Sequence, residues 1–468
     1  MSSQGIHIIT KRIYYAVQVR LASPLSISSG RDDTSDSDVI RNGSDIPFVP
    51  GTSLAGAFRN YLELSGKTDG IMGYSDGEEG RMSSFFISDM YFASEKSDTM
   101  EKPYVITVRD GVKLKEDKQV DNKFDMEIIE TGATGTLFFQ YVVRDGLETE
   151  DDCIRNAAIF LKAIQSGEIR LGGNKNRGFG RLEILKIFCR TFDKEKREEF
   201  LKFSPEFKEI AAYGIGKTYE EWETEIKKNG CCSGYSKYVK ITVPLKLTGG
   251  ISVRRYSTKP DQADFEHLTC NGMPVIPGTS WNGAIRSDAI RILKSLGIEN
   301  TGKIIDQWFG FVEIKNQKKN RKTSETGGKA KEDRNKKACQ SMVVFGESII
   351  EGAKALPMTR NKVNRFDAST VDGALYSEIA YFGGKTELEI MVKKDTERNY
   401  QAFLGILDII VKDILNGFLP VGGQTAVGRG IFETDGPVQW ENASEDEKSS
   451  ENGRTALYDL VTVQGGMR

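Results

Sequence analysis

Two short segments carry residue types that suit the binding of a phosphate. Residues 47–59 read PFVPGTSLAGAFR and residues 274–286 read PVIPGTSWNGAIR, with eight of thirteen positions identical. Apolar residues recur at helical spacing after each PGTS, so we expect a helix to begin there, with its Thr and Ser as the N-cap. A helix N-terminus offers free backbone N–H groups and the positive end of the dipole, which favours an anion. The expected anion-binding residues are Gly51, Thr52, Ser53, Gly278, Thr279 and Ser280, with Arg59 and Arg286 about two turns further along. The alternative is an ordinary capped helix with a surface arginine.

A second chemical pattern combines glycines with cations. Residues 170–181 read RLGGNKNRGFGR, and the related segment 422–430 reads GGQTAVGRG. Glycine lets a nucleic-acid backbone approach closely, while Lys and Arg neutralise its phosphates. We therefore predict that Lys175, Arg177 and Arg429 contact RNA. A tight turn explains the glycines equally well.

Other chemistries have little support in the composition. The six cysteines form no CxxC pair and there are only two histidines, which argues against zinc sites and histidine clusters. No P-loop is present. No apolar run is long enough to span a membrane and the N-terminus lacks a signal-peptide core, so we expect a cytoplasmic protein without membrane contact. The net charge of −2 excludes a uniformly basic binder but leaves room for a basic groove.

The recurring segments indicate a tandem duplication. The two PGTS segments are offset by 227 residues, and GGNKNRGFGRLE (172–183) matches GGQTAVGRGIFE (422–433) at an offset of 250. Between them, a weaker match keeps the same order at an offset of 251. Its pairs are Arg109/Arg360, Val112/Val363, Glu127/Glu378, Ile128/Ile379 and Gly132/Gly383. The change of offset locates an insertion in the second copy, and the basic segment 313–340 supplies it with ten Lys and Arg residues. This segment is either a solvated loop or an arm that touches RNA.

Domain boundaries follow from the duplication. The prediction is a first domain at 1–190, a charged and partly helical connector at 191–236, a second domain at 237–435, and an acidic, disordered tail at 436–468. Each copy orders its elements as strand, helix, strands, helix, glycine loop and strand. This order predicts an α+β fold with two tandem ferredoxin-like (βαββαβ) domains.

Together, the paired helix starts and the glycine segments resemble the RAMP superfamily of CRISPR-associated proteins. The architecture is similar to the double-backbone fusion subunit of type III-D effector complexes, and the likeness covers most of both copies. It implies RRM-like ferredoxin domains that bind a CRISPR guide RNA. It also implies a thumb hairpin in each domain, which displaces nucleotides of a guide–target duplex at regular steps. Implied partners are the guide RNA, single-stranded target RNA, a polymerase-like large subunit, and other backbone and cap subunits.

The resemblance also points to catalytic aspartates. The family's aspartate lies in a loop before the proline-glycine helix start, and SDSDVIRNGSDIPFVPG places Asp36 on it, although Asp38 replaces the usual proline. In the second copy, DQADFEHLTCNGMPVIPG places Asp264 at the equivalent point, with different flanking residues. Competing carboxylates are Asp32, Asp33, Asp38 and Asp261. His267 is either a spectator or an assisting acid. The implied activity is a metal-dependent endoribonuclease, using Mg²⁺ or Mn²⁺ held at Asp36 and Asp264, that leaves a 5′-hydroxyl and a 2′,3′-cyclic phosphate.

The thumb segments predicted on this basis are 107–128 and 358–379, in which Arg109 and Arg360 would hold RNA backbone. A solvated hairpin of mixed charge is the alternative. Two rivals to the nuclease hypothesis remain open at this stage. The first is a non-catalytic guide-RNA scaffold in the same kind of complex. The second is a stand-alone processor of guide RNA precursor, which the shortage of histidines disfavours.

Overall fold

Alternating apolar and polar residues in the first copy produce a long strand whose side chains divide between the two faces of a sheet. In the computed structural model, that sheet has four antiparallel strands in the order β10-β1-β9-β5. Numbered along the chain as the first to fourth strands of the domain, this order is 4-1-3-2. Two helices pack on one face, over a core that includes Phe58, Phe139 and Phe160. This is the βαββαβ arrangement that the element order predicts.

The elements of the first half are as follows. Its strands are β1 (Ile9–Leu21), β2 (Phe48–Val49), β3 (Tyr74–Asp76), β4 (Glu79–Arg81), β5 (Phe85–Ile87), β6 (Met90–Tyr91), β7 (Ile106–Leu114), β8 (Val120–Ile129), β9 (Thr134–Arg144) and β10 (Leu182–Phe192). Its helices are α1 (Gly51–Glu63), α2 (Glu150–Gln165), α3 (Arg197–Lys202) and α4 (Tyr219–Lys228). The structure describes residues 7–28, 37–63, 70–76, 79–93, 104–114, 120–203, 210–228, 236–256, 263–312 and 338–465.

The second half repeats the plan. Its sheet has the order β24-β11-β23-β19, which is again 4-1-3-2 when these strands are numbered along the chain, and β25 also pairs with β11. Its strands are β11 (Tyr238–Thr248), β12 (Gly250–Ile251), β13 (Arg254–Tyr256), β14 (Phe265–His267), β15 (Thr269–Cys270), β16 (Met273–Ile276), β17 (Phe311–Val312), β18 (Ala338–Cys339), β19 (Val343–Phe345), β20 (Ser348–Ile349), β21 (Lys354–Arg360), β22 (Tyr376–Phe382), β23 (Lys385–Lys393), β24 (Ile431–Thr434) and β25 (Gln439–Glu441). Its helices are α5 (Gly278–Ser295), α6 (Thr301–Phe309), α7 (Tyr400–Leu415), α8 (Glu445–Lys448) and α9 (Ser450–Gly465).

The chain divides into two compact units. The first comprises Met1–Lys237 with Thr269–Val275, and the second comprises Tyr238–Leu268 with Ile276–Arg468. The division after Lys237 falls where the sequence places the start of the second copy. Both predicted thumb segments contain antiparallel hairpins, β7–β8 in the first unit and β21–β22 in the second.

The connector belongs to the first unit because it covers the outer face of that sheet. Tyr14 and Phe192 on this face pack against Phe203 and Tyr213 of the connector, all buried. The corresponding face of the second sheet is polar, and Lys240 there forms ion pairs with Glu389 and Glu441. The apolar outer face of the first sheet therefore explains why only the first copy needs this covering segment.

The prediction of a disordered tail is wrong. Residues 445–465 form α8 and α9, and Leu457 of α9 is buried in the core of the second unit. Ser444 and Glu447 form a capping box at the start of α8. In the first turn of α9, Gly453 lies directly against Gly405 of α7, so the two helix backbones approach closely. The acidic, serine-rich composition of the segment did not reveal this packing, because only a few residues, Gly453 and Leu457 among them, make the contacts.

Two further predictions concern the basic insertion and the N-caps of the two PGTS helices. Most of the basic insertion, 313–337, lies outside the described residues, and β17 and β18 pair at its ends. The expected N-caps are wrong, since the helices begin at Gly51 and Gly278. Pro277 is the N-cap of α5, and no side chain caps it. The first turns of the two helices therefore include Thr52, Ser53, Thr279 and Ser280. The proline before each helix is tolerated because a backbone N–H at that position would have no partner within the helix.

Candidate functional site

Three segments meet at the base of each thumb hairpin: the loop of the predicted catalytic aspartate, the returning hairpin strand (β8 or β22), and the glycine loop. In the first unit, Asn174 of the glycine loop directs its amide to the sulfur of Met126 on β8, at 3.3 Å. In the second unit, Gln424 donates its amide to Glu378 on β22, at 2.5 Å. Asn174 and Gln424 both have the left-handed backbone conformation and start a short 3-10 turn. In both units, therefore, the glycine loop contacts the returning hairpin strand, at neighbouring positions of the repeat.

In the first unit, Glu127 of β8 fastens the aspartate loop. Its backbone N–H donates to the carbonyl of Ser37 at 3.0 Å. Its carboxylate accepts from the backbone N–H of Val39 at 3.0 Å and from Arg41 Nη2 at 2.9 Å. Asp36, which precedes Ser37 in the chain, lies outside the described residues, as do Asp32 and Asp33. At this site, Glu127 therefore anchors the residues that follow Asp36 in the chain.

Asp38 does not fit a catalytic role. Its side chain is buried, only 6% exposed, and it lies in the anchored part of the loop between Ser37 and Val39. A buried carboxylate at this position cannot meet an incoming phosphodiester without opening the loop. Asp38 is therefore not the catalytic alternative.

In the second unit, Asp264 is exposed and its carboxylate is held in place. Oδ2 accepts from the backbone N–H of Ser377 at 2.7 Å and from its hydroxyl at 3.1 Å. The backbone N–H of Asp264 in turn donates to the Ser377 hydroxyl at 3.2 Å. The backbone N–H of Ser377, and then its hydroxyl, lower the pKa of Asp264, so the group is an anion at neutral pH. The competing residue Asp261 lies outside the described residues.

The two aspartate loops occupy the same register against the thumb base. Phe265, which follows Asp264, pairs with Glu378 of β22. Ser37, which follows Asp36, bonds to Glu127 of β8. Since Glu127 and Glu378 are equivalent in the repeat, Asp36 and Asp264 are equivalent positions of the chain. This geometry supplies the alignment that the dissimilar flanking residues could not.

Glu127 and Glu378 are the site residues that the sequence reasoning missed. Glu378 is buried and forms an ion pair with Arg360 at 3.1 Å, whereas Glu127 pairs with Arg41 from the aspartate loop. Each unit thus neutralises the same carboxylate with an arginine from a different segment. The signal was present, because both glutamates belong to the weak middle match of the repeat.

The glycine loops are shaped first by contacts within the protein. In the first unit the N–H of Gly173 donates to Ser26 O at 2.7 Å, and in the second that of Gly423 donates to Ser252 O at 2.7 Å. A Cβ on Gly180 or Gly430 would collide with the carbonyl of the residue nine positions earlier, and both have a positive φ. These glycines allow segments of the backbone to pack closely within the protein. This packing accounts for them without a bound phosphate. Lys175 and Arg177 are exposed on the turn, and their contact with RNA stays a prediction.

The helix starts likewise have partners inside the protein. The N–H of Gly51 donates to Asp89 Oδ1 at 2.7 Å, so a carboxylate already lies at the N-terminus of α1. A Cβ on Gly51 would also press on Ile87 O. Thr52, Ser53 and Thr279 are exposed beside these starts, whereas Gly278 is buried. The carboxylate weakens the case for a phosphate at Gly51.

Several arginines predicted to contact RNA have contacts within their own unit. Arg109 is a correction: it is 6% exposed, lies 3.5 Å from Glu130 and over the ring of Phe179, so it cannot hold an RNA backbone as placed. Arg286 pairs with Asp306 at 3.2 Å. For the other three, the contacts are as follows: Arg59 with the carbonyls of Met72 and Gly73, Arg360 with Glu378, and Arg429 over the ring of Phe382. Arg59 is exposed and Arg360 is half-buried, so RNA contact by these two stays a prediction.

His267 has a structural position. It is buried, and its Nδ1 accepts the backbone N–H of Val253 at 2.9 Å. A ring nitrogen that accepts this bond is unprotonated, which places the imidazole proton on the other nitrogen. The histidine fixes the strand beside the aspartate loop, in agreement with the spectator interpretation.

The predicted metal finds no multidentate protein site among the described residues. No group of three His, Cys, Asp or Glu side chains there could hold an ion. In the second unit, one oxygen of Asp264 is already engaged by Ser377. The described donors do not fit a divalent cation held by the protein, and we derive no step through one.

Comparison with known proteins agrees with the duplicated architecture. The family model of the RAMP superfamily matches residues 18–183 and 260–433, once in each copy. The chain therefore belongs to the RAMP superfamily, as a tandem protein with two such domains. This membership supports a role as a CRISPR-associated subunit of the type III kind, and RAMP proteins generally bind CRISPR RNA and other subunits. No curated protein matches the chain. Within the described residues, no helix combines the length and apolar character needed to cross a membrane.

Proposed function

We propose that the protein is a guide-RNA-binding backbone subunit of a type III complex, of the III-D kind, that cuts target RNA at two places through Asp36 and Asp264. The observation that carries the proposal is the Asp264 carboxylate, which is exposed, ionised and fixed by Ser377 at the base of a thumb hairpin. An exposed carboxylate with a fixed orientation is suited to act on a substrate. Its equivalence with Asp36 extends the proposal to the first unit.

The second thumb has a tip that suits insertion between bases. Phe366 is 100% exposed at this tip, between Arg365 and Asp367, and Val363 and Leu375 nearby are at least half exposed. The tip is ordered by its own backbone bonds, including Val371 N–H to Lys362 O at 2.9 Å. An exposed apolar wedge with cations beside it favours contact with unstacked nucleotides and their phosphates.

The chemistry assigned to the aspartates is transesterification. The ionised carboxylate accepts a hydrogen bond from the ribose 2′-hydroxyl and orients its oxygen toward the adjacent phosphorus. The 2′-oxygen passes its proton to the carboxylate and forms the new P–O bond while the bond to the 5′-oxygen breaks. The leaving 5′-oxygen takes up a proton from solvent water and the carboxylate returns its proton to solvent, so the products are a 2′,3′-cyclic phosphate and a 5′-hydroxyl. Displacement of a nucleotide by the thumb lets the sugar and phosphate reach the in-line geometry.

The test uses the guide-loaded complex with end-labelled complementary RNA. Asp36→Ala and Asp264→Ala should each remove one distinct cut, and the double variant should remove both while target binding persists. Asp193→Ala is the control, because this connector aspartate also accepts backbone N–H groups, from Glu195 and Lys196, outside the site. Unchanged cutting in the double variant would leave a non-catalytic scaffold as the function.

A further inference from the structure

The second unit contains a cationic and aromatic surface that has no counterpart among the described residues of the first unit. Arg254 of β13 is exposed, and its guanidinium carbon lies 4.6 Å from the centre of the Phe265 ring. Tyr376 packs its edge on the same ring, with centroids 6.2 Å apart and an interplanar angle of 74°. We name Arg254, Phe265 and Tyr376 the arginine platform.

The platform adjoins the candidate catalytic carboxylate through the chain itself. Phe265 follows Asp264, and Tyr376 precedes Ser377, the residue that holds the Asp264 carboxylate. Arg255, the next residue of β13, is exposed opposite Glu266. Within the described part of the chain neither Arg254 nor Arg255 forms an ion pair, so β13 contributes two exposed cations beside the strand that follows Asp264.

The ligand that fits this combination is a nucleotide of single-stranded RNA. A guanidinium stacked on a ring keeps its N–H edges available for a phosphate while its planar face is fixed. Aromatic rings at a binding groove stack on unpaired bases of any sequence. A nucleotide is the ligand that offers both an anion and a flat base, and it would lie next to the one held by Asp264.

The first unit has serines at two of these positions, those of Arg254 and Phe265. Arg254 pairs with His267 across the strands, as Ser28 bridges to Val39, which makes Ser28 the equivalent of Arg254. Ser37 is likewise the equivalent of Phe265, because each is joined to the thumb-base glutamate. The two sites therefore differ in charge and in aromatic surface although they share a backbone plan.

We infer that the arginine platform binds the target nucleotide beside the second cut, by a phosphate contact from Arg254 and stacking on the aromatic residues. The inference rests on the proposed function, since it concerns the RNA that the second site receives. It goes further by assigning a binding subsite to one unit only.

The test measures binding without cleavage. The full-length protein carrying Asp36→Ala and Asp264→Ala binds fluorescein-labelled oligouridine, and affinity is followed by anisotropy across a series of KCl concentrations. Arg254→Ala should weaken binding about five- to tenfold and lower the slope of log K against log salt by about 1. Arg454→Ala is the matched control, since it removes one exposed positive charge from α9 of the same unit. Equal behaviour of the two variants would overturn the inference.

Two further variants separate charge from stacking and binding from cutting. Arg254→Lys should keep the salt slope but not the full affinity, because a lysine lacks the planar face of a guanidinium. If Arg254→Lys binds with the affinity of its parent protein, stacking of the guanidinium does not contribute to binding. Ser28→Arg should raise affinity in the same assay, and no gain would contradict a role for charge at this position. The two hypotheses can fail separately. If Asp264→Ala abolishes its cut in the cleavage assay but Arg254→Ala binds RNA like its parent protein, the platform is rejected and the catalytic assignment stands. If Arg254→Ala binds RNA more weakly but Asp264→Ala still makes its cut, the catalytic assignment is rejected and the platform stands.

Discussion

At the scale of single residues, the two sites use the same thumb-base glutamate in different ways. Glu127 holds the aspartate loop through the Val39 N–H and Arg41, whereas Glu378 is buried between Arg360 and Gln424. In the second unit the carboxylate of Asp264 is instead held directly by Ser377. The lowered pKa of Asp264 gives a small stabilisation that is present at neutral pH and is lost as the pH falls through that pKa. Among the described residues, the first site shows a clamp around its loop, and the second a bond to the candidate catalytic carboxylate itself.

This difference predicts the effect of substituting Glu127. Glu127→Ala leaves the Val39 N–H and the Arg41 charge without their acceptor, and should cost about 1–3 kcal/mol of unfolding free energy. It should also weaken the cut assigned to Asp36 and spare the cut assigned to Asp264. The measurements are urea denaturation and mapping of target products. Glu183→Gln is the control, because its bond to Arg20 at 2.6 Å is on the surface and a surface pair contributes little. Equal loss of both cuts would contradict a local clamp.

At the scale of elements, glycines decide how closely segments pack. Gly405 of α7 faces the backbone of Gly453 of α9, and a Cβ on Gly405 would collide with the Gly453 carbonyl. Contact at backbone distance lets the weakly apolar α9 dock through a short stretch, with Leu457 buried beside it. The C-terminal helix is thus secured by the absence of side chains at one crossing.

Gly405→Ala should therefore displace α9. We expect a loss of about 1–3 kcal/mol from overpacking and faster proteolysis within residues 445–465. Gly302→Ala in α6 provides the matched control, since its Cβ would meet nothing within 4 Å. That variant should be neutral or slightly more stable, because Gly302 lies in the first turn of α6, where alanine loses less backbone entropy on folding than glycine. If Gly405→Ala melts and digests like the wild type, the close crossing does not hold the helix.

Sequence patterns predicted those elements whose information is local or repeated. The strand β1, the amphipathic helices α2 and α7, and both hairpins follow from periodicity and the duplication. Contacts between distant residues stayed hidden: Asp89 at the start of α1, Glu127 at the aspartate loop, and Gly453 against Gly405. Arg109 shows the same limit, because its type suggested RNA and only its burial beside Glu130 revealed a structural position. Residue type indicated charge, and tertiary packing decided where that charge points.

At the scale of the whole molecule, duplication gave two copies of one plan that have since diverged at their surfaces. The first unit covers an apolar sheet face with the connector, and the second carries the arginine platform, whose Phe265 follows Asp264 in the chain. The net charge of −2 averages over these local differences and describes neither unit. Because backbone contacts by arginine depend on ionic strength, the divergence should be visible in how the two cuts respond to salt.

The last prediction follows from that divergence. In the guide-loaded complex, the rate of the cut assigned to Asp264 should fall more steeply with KCl than the rate of the cut assigned to Asp36, at target concentrations below saturation. The reason is that one additional phosphate contact, from Arg254, adds about 1 to the salt slope of the second site. Arg254→Ala should bring the two slopes together, and Ser28→Arg should steepen the first. Parallel slopes in the wild-type complex would mean that the two units hold their RNA alike, despite the unequal residues beside their aspartates.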